Sequence, residues 1–356
     1  MATDSLRRAV LFTGLAAALP APALPAKTLE FPRDYGSHPD FRTEWWYVTG
    51  HAKSGTRDFG FQVTFFRTRV EGTQGMQSKF AAKQILFAHA AVTDVQGKKL
   101  LHDQRILREG LDVASASTAD TRVQIKDWTL VRTADGRDGK GYKAQVAGEG
   151  FKLALQFQPT QTVLLQGDKG LSRKGPEEKQ ASYYYSEPQL VTQGVISVGA
   201  EALPVKGTAW LDHEWSQELL HPQAVGWDWI GMNLFDGSSV TAFQLRDKEG
   251  KPIWDGGSFR TAKGQRFGFR KGEVVFSRQR SWKSPLSQAT YPIEWIVRTP
   301  ADFYTVKAVI PNQELDSRAS TGAIYWEGLS DLYDSNGNHV GRGYLEMTGY
   351  ARPLNI

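Results

Sequence analysis

Phe59-Gly60-Phe61-Gln62-Val63-Thr64-Phe65-Phe66 decides the fold class. Its aromatic and β-branched residues suit a pleated, half-buried surface. Trp46-Tyr47-Val48-Thr49 upstream and Ile85-Leu86-Phe87-Ala88-His89-Ala90-Ala91-Val92 downstream have the same texture. Lys53-Ser54-Gly55 and Asp94-Val95-Gln96-Gly97 punctuate them as turns. Further strands are predicted at 121–132, 141–147 and 151–158, followed by a polar loop over 166–180. A second series follows at 225–234, 239–246, 267–276, 293–299, 304–310, 322–329 and 343–350. Sustained 3.6-residue periodicity is absent, with one short helix considered at 216–220. Many short strands with Gly-rich turns indicate barrels or sandwiches, an all-β chain.

The pattern echoes itself. Trp45-Trp46-Tyr47-Val48 followed by Val63-Thr64-Phe65-Phe66 parallels Trp227-Asp228-Trp229-Ile230 followed by Val240-Thr241-Ala242-Phe243. We therefore expect two similar antiparallel barrels over 27–190 and 191–356. With 356 residues, each half is long enough to bury a core of its own.

Composition excludes several functions. With no Cys there is no disulfide scaffold, thiolate nucleophile or Cys-ligated metal. A net charge of +5 without a long basic run argues against nucleic acid as a partner. No Gly-x-Ser-x-Gly elbow, Rossmann or P-loop glycine pattern occurs, and no His-x-His or His-x-x-x-His spacing; we expect neither cofactor nor metal. Residues 1–26 read as an export signal: Arg7-Arg8, an apolar run over 10–19 and the small-residue site Ala21-Pro22-Ala23. Ser5-Leu6-Arg7-Arg8 also has a degenerate twin-arginine character. The apolar run is too short for a bilayer-spanning helix, so no transmembrane span is expected in a mature chain beginning near Leu24 or Lys27. A periplasmic or secreted location follows as an expectation.

The densest polar constellation is Trp210-Leu211-Asp212-His213-Glu214-Trp215-Ser216. Strand alternation would put His213 and Trp215 on one face and Asp212 and Glu214 on the other. If the histidine side opens on a cavity, burial tunes a group for proton transfer, with Asp228, between Trp227 and Trp229, as its orienting carboxylate. The bland alternative is a histidine satisfied within the core. Glu44 beside Trp45, Trp46 and Tyr47 could hold a polar head group while rings hold an apolar tail. Tyr183 and Tyr185 of Tyr183-Tyr184-Tyr185-Ser186-Glu187-Pro188 share a face, and Trp227, Trp229 and Phe243 complete the candidate ligand wall.

Five runs carry a resemblance: His38-Pro39-Asp40-Phe41-Arg42-Thr43-Glu44-Trp45-Trp46-Tyr47-Val48-Thr49-Gly50, Phe87-Ala88-His89-Ala90-Ala91-Val92-Thr93-Asp94, the Tyr183–Pro188 run, Gly207-Thr208-Ala209-Trp210 through Ser216, and Tyr344-Leu345-Glu346-Met347-Thr348-Gly349-Tyr350. In order and spread over nearly the whole chain, they resemble the lipocalin-like AttH–CrtC family of predicted secreted hydrolases and carotenoid 1,2-hydratases. The resemblance implies two tandem lipocalin-like β-barrels. In the hydratase branch, water adds to a terminal isoprenoid double bond through a tertiary carbocation, without a cofactor. His213 and Trp215 match that branch, but Phe243 and Leu245 stand where its Tyr and Asp would fall, leaving no evident carboxylic proton donor. The secreted branch resembles periplasmic partners of lipid-handling ABC exporters.

The expectation is thus an exported protein holding a lipid or isoprenoid ligand, with an ABC permease as a possible partner. The alternative is a cofactor-free hydro-lyase or hydrolase using His213.

Overall fold

Strands form where aromatic and β-branched residues alternate. The computed structural model describes residues 24–133 and 141–354, so the signal expected at 1–26 lies almost wholly outside the described residues. Among those residues the only helical elements are two 3-10 turns, Arg33–Tyr35 and Glu71–Thr73. The helix considered at 216–220 is instead the end of a strand, Glu201–Glu218. Pairing on both sides, Thr43 with Ser216 and Ala181 with Glu218, holds it extended.

Thirteen described strands make the first sheet. Its spatial order is Lys99–Arg108, Gln84–Asp94, Arg57–Arg69, Thr43–Ser54, Glu201–Glu218, Ala181–Val198, Phe151–Gln158, Gly141–Gly148, Trp128–Thr133, Arg122–Ile125 and Ala114–Ala116. Two short pieces of the polar loop, Leu164–Leu165 and Leu171–Arg173, pair with Ala181–Val198. The sheet curls into a nearly closed barrel around Trp46, Val63, Phe65, Trp128, Leu155 and their neighbours.

The second sheet has ten described strands, ordered Arg266–Phe269, Pro252–Arg260, Ser239–Arg246, Gly226–Leu234, His339–Met347, Ala323–Tyr333, Phe303–Ala308, Glu294–Arg298 and Val275–Arg278, with Glu314–Ser317 on Ala323–Tyr333. Where one strand was expected over 267–276, a turn at Gly272 (φ 86°) splits it in two. Ile230, Val240, Trp295, Val306 and Leu345 fill its core.

The two sheets share a plan. In each, the first strand pairs antiparallel with the last, and the following strands meander away from it. The sequence echo falls on equivalent places: Trp45–Tyr47 and Trp227–Trp229 lie on first strands, Val63–Phe66 and Val240–Phe243 on second strands. The chain crosses between sheets after Glu218 and before Gly226, whereas the division at 190/191 falls inside the strand Ala181–Val198.

The outer faces of the two first strands meet. Tyr47, Trp210, Trp229, Phe243, Leu245, Leu329 and Tyr344 form a third apolar cluster between the sheets. This explains why Trp46 to Gly50 are buried without interruption: one face looks into the barrel and the other into the second sheet.

Candidate functional site

In the strand Glu201–Glu218, His213 and Trp215 point into the barrel, while Asp212 and Glu214 point out of it toward the second sheet. The alternation read from sequence therefore separates the pair from the acids. The face that opens on a cavity is the opposite of the one expected.

His213 sits in a closed network. Its Nε2 lies 2.9 Å from Glu44 Oε1, and its Nδ1 faces the Tyr185 hydroxyl at 3.1 Å. Glu44 also takes hydrogen bonds from Ser37 Oγ (2.8 Å), the His38 backbone N–H (2.9 Å) and Arg67 Nε (2.8 Å). His38 places Nδ1 2.7 Å from Glu44 and Nε2 2.9 Å from Asp34, and stacks on Trp215 at 3.7 Å. Trp46 stacks on His213 at 4.6 Å. Burial lowers the His213 imidazole to about 4, against the pull of Glu44, so the ring is neutral near pH 7. Burial opposes ionisation of Glu44, but hydrogen bonds from His213 and His38 outweigh it and hold the carboxyl well below its usual range.

These contacts correct the placement expected for several residues, Trp215 of the barrel core among them. Glu44, Trp46, Tyr183, Tyr185 and His213 belong to the barrel core and its N-terminal plug, not to a ligand wall; Tyr183 donates to the Pro25 carbonyl at 2.6 Å. Asp228 does not orient His213. It lies inside the second barrel, bonded to Gln244 (2.8 Å), Arg246 (3.0 Å) and Tyr350 (2.8 Å). Glu44 holds the histidine instead. Among the described residues, His38, Glu44 and His213 are the group that could hold a metal ion, with ligand atoms within 4.8 Å of one another. Arg67 already places a guanidinium on that carboxylate, which disfavours a second cation there.

The open space lies between the sheets: a cavity of about 1230 Å³. From the first sheet it is lined by Trp45, Tyr47, Gln62, Thr64, Phe66, Phe87, His89, Tyr184, Asp212 and Glu214, and from the polar loop by Lys174. The second sheet contributes Trp227, Trp229, Phe243, Leu245, Tyr325, Glu327 and Glu346. Of the residues expected from sequence, Asp212, Glu214, Trp227, Trp229 and Phe243 are here. Register explains the grouping. Tyr47 pairs with Asp212 and with Thr64, Trp45 with Glu214 and Phe66, Trp229 with Glu346 and Phe243, and Glu346 directly with Glu327.

Asp212 accepts from Tyr184 (2.9 Å), Ser186 (2.5 Å) and Trp210 Nε1 (2.7 Å). Burial nonetheless pushes its carboxyl up to about 7, with Glu214 adding to the effect. Burial likewise raises Glu346 to about 7, opposed by the Trp227 indole and reinforced by Asp212 and Glu214. Burial and the facing Glu346 raise Glu327 well above the carboxylate range. Glu214 is paired with Lys174 at 2.9 Å and with Ser182. Lys174 in turn lies 4.4 Å from the Phe243 ring centre and 4.7 Å from that of Tyr184. His89 is lowered to about 3 by burial and spans Tyr325 and Ser320, each at 2.9 Å. The cavity therefore presents carboxyls that give up their protons only near neutral pH or above it, beside indole and phenyl faces.

A family model described as AttH-like matches residues 22–350. The chain belongs to the AttH-like family. It is 46% identical to the AttH homologue NE1406 of Nitrosomonas europaea, whose crystal structure superposes with a TM-score of 0.85 over 93% of this chain and 99% of that one. Kievitone hydratase of Nectria haematococca shares the fold at 12% identity, with a TM-score of 0.69 over 91% and 94% of the two chains. CghA in complex with Sch210972 is 10% identical, with a TM-score of 0.52 over 89% of each chain. No curated protein matches in sequence.

Sequence reasoning missed Glu327 and Glu346 in this AttH-like chain. Each is a lone acid in an apolar strand, Tyr325-Trp326-Glu327-Gly328-Leu329 and Tyr344-Leu345-Glu346-Met347. A charge in such a run was the available signal, because carboxylates are rarely buried without a role.

Proposed function

We propose that this protein is a cofactor-free hydro-lyase acting on an unsaturated apolar molecule, isoprenoid in character, bound between the two barrels. One observation supports the reading above the others: the carboxyls of Asp212, Glu327 and Glu346 titrate near neutrality or above it, in a cavity that also presents aromatic faces. Glu346 is the donor of choice, since Asp212 is tied down by three hydrogen bonds and Glu346 stands beside the Trp229 ring. Its O–H proton passes to the less substituted alkene carbon, whose π pair forms the C–H bond. The cation left on the other carbon faces Trp45, Trp227 and Trp229, whose ring faces stabilise positive charge. Water attacks that carbon, and the proton it releases returns to the carboxylate. The fold shared with kievitone hydratase fits this reading.

Incubation with a panel of isoprenoid and prenylated phenolic alkenes in oxygen-labelled water tests it. A product heavier by one labelled water, absent with Glu346→Gln, is expected. Product formation undiminished in Glu346→Gln and in Glu327→Gln would overturn the assignment.

A carrier role is the second reading, favoured by the cavity's size and aromatic lining. Stoichiometric ligand binding without turnover would support it. Export remains part of the proposal on residues 1–26 alone; cell fractionation of the host tests it, and material retaining Met1 in the cytoplasm would refute it.

A further inference from the structure

Three polar atoms lining the cavity lack hydrogen-bond partners among the described residues: Tyr47 Oη, Gln62 Oε1 and Glu327 Oε1. Their residues are 6%, 1% and 2% exposed. Tyr47 lies within reach of both Glu327 and Thr49, whose polar groups shift its ionisation as loose hydrogen-bond neighbours, but neither meets it in the geometry of an ordinary hydrogen bond. The neighbouring polar atoms are already used. Gln62 Nε2 donates to Glu327 Oε2 at 2.7 Å and to Thr64 Oγ1 at 3.1 Å, and Tyr325 is engaged by His89 at 2.9 Å. The hydrogen bond fixes Gln62 beside Glu327, and Tyr47 lies on the strand beside Gln62 and Thr64. Buried polar groups are seldom left unmatched, and leaving them so costs stability. Three in one corner of the cavity form the complement of a polar group on the ligand.

Their chemistry specifies that group. Gln62 Oε1 can only accept, so the ligand must donate. The Tyr47 hydroxyl can donate, so the ligand must also accept. An alcohol or phenol oxygen does both, a carbonyl only accepts, and a hydrocarbon does neither. We infer that the cavity's ligand is an apolar molecule carrying a hydroxyl group, seated against Tyr47, Gln62 and Glu327. The inference rests on the ligand-site reading above and narrows its substrate class to hydroxylated molecules.

The three isoprenoids farnesol, farnesal and farnesene differ at that one group. Each is titrated into the full chain, with quenching of the cavity tryptophans as the readout. Farnesol should bind about tenfold more tightly than farnesene, with farnesal between them. In Tyr47→Phe, which removes an unpartnered hydroxyl and should melt no lower than the parent, the preference for farnesol should shrink severalfold. Equal affinity for all three in the parent would overturn the inference while leaving the cavity a ligand site, since water would then serve those atoms. An unchanged preference in both Tyr47→Phe and Gln62→Leu would overturn it too. Binding of none of the three would remove the ligand-site reading together with the inference.

Discussion

Asp212 and His213 are adjacent in sequence and serve different environments. His213 completes a buried network with Glu44, Tyr185 and His38; Asp212 faces the cavity. Their substitutions should therefore separate. His213→Ala leaves Glu44 and Tyr185 short of a partner and should cost about 1–3 kcal/mol of stability, with ligand affinity unchanged in a titration of the folded fraction. Arg67→Met should be harsher, about 3–5 kcal/mol by denaturant melt, because it strands the Glu44 charge in the barrel. Glu346→Gln should keep the melt within about 1 kcal/mol and lower turnover by a factor of about 100 or more. A His213→Ala protein that melts like the parent but loses ligand would reverse the roles of histidine and acid. Part of this was legible in the sequence: period-two alternation separates His213 and Trp215 from Asp212 and Glu214. Which side opens on a cavity was not, because it depends on a second sheet docking against the barrel's outer face.

At the scale of the strand, close backbone approach sets the pairing of Thr43–Ser54 with Glu201–Glu218. A Cβ on Gly207 would stand 1.9 Å from the His51 carbonyl oxygen and 2.6 Å from Ala52 Cα. Gly207→Ala should therefore destabilise by about 1–3 kcal/mol, read as a lower thermal midpoint; an unshifted melt would mean the strands part easily. Many strand spans and the echo between first strands were readable from residue type alone, whereas Lys99–Arg108, Pro252–Arg260 and the full lengths of Ala181–Val198 and Glu201–Glu218 were not among the predicted spans. Glu327 and Glu346 were not singled out, since each stands as one acid within an apolar run, Tyr325 to Leu329 and Tyr344 to Met347. Only the register of Ala323–Tyr333 with His339–Met347 sets them face to face. The division at 190/191 shows the same limit: the echo and an ordinary domain size do not reveal that Ala181–Val198 and Glu201–Glu218 both belong to the first sheet.

The whole molecule gathers acids from both sheets at one interface, which couples its chemistry and its stability to pH. Asp212 and Glu346 have folded-state values of about 7, above those of the unfolded chain. The stability they contribute is fully present below the unfolded carboxylate range, near pH 4, and is lost as pH rises through about 7. Turnover that needs the protonated acid should fall as pH rises through about 7, approaching tenfold per pH unit above it. A rate that climbs through pH 7 to 9 would mean the acids act as bases. Arg342 bonding Asp58 at 2.6 Å and Gln62 reaching Glu327 tie the sheets together across this interface, so it is a built surface and not an incidental gap.

The measurement closest to the central claim is photo-crosslinking with a diazirine-bearing farnesol, followed by peptide mapping of the labelled chain. The interface account predicts label on peptides containing Trp45 and Tyr47, Trp227 and Trp229, or Glu327 and Glu346, and its loss when unmodified farnesol competes. Label confined to barrel-interior peptides around Leu130 or Phe151 to Phe157 would contradict it and place the ligand inside the first barrel.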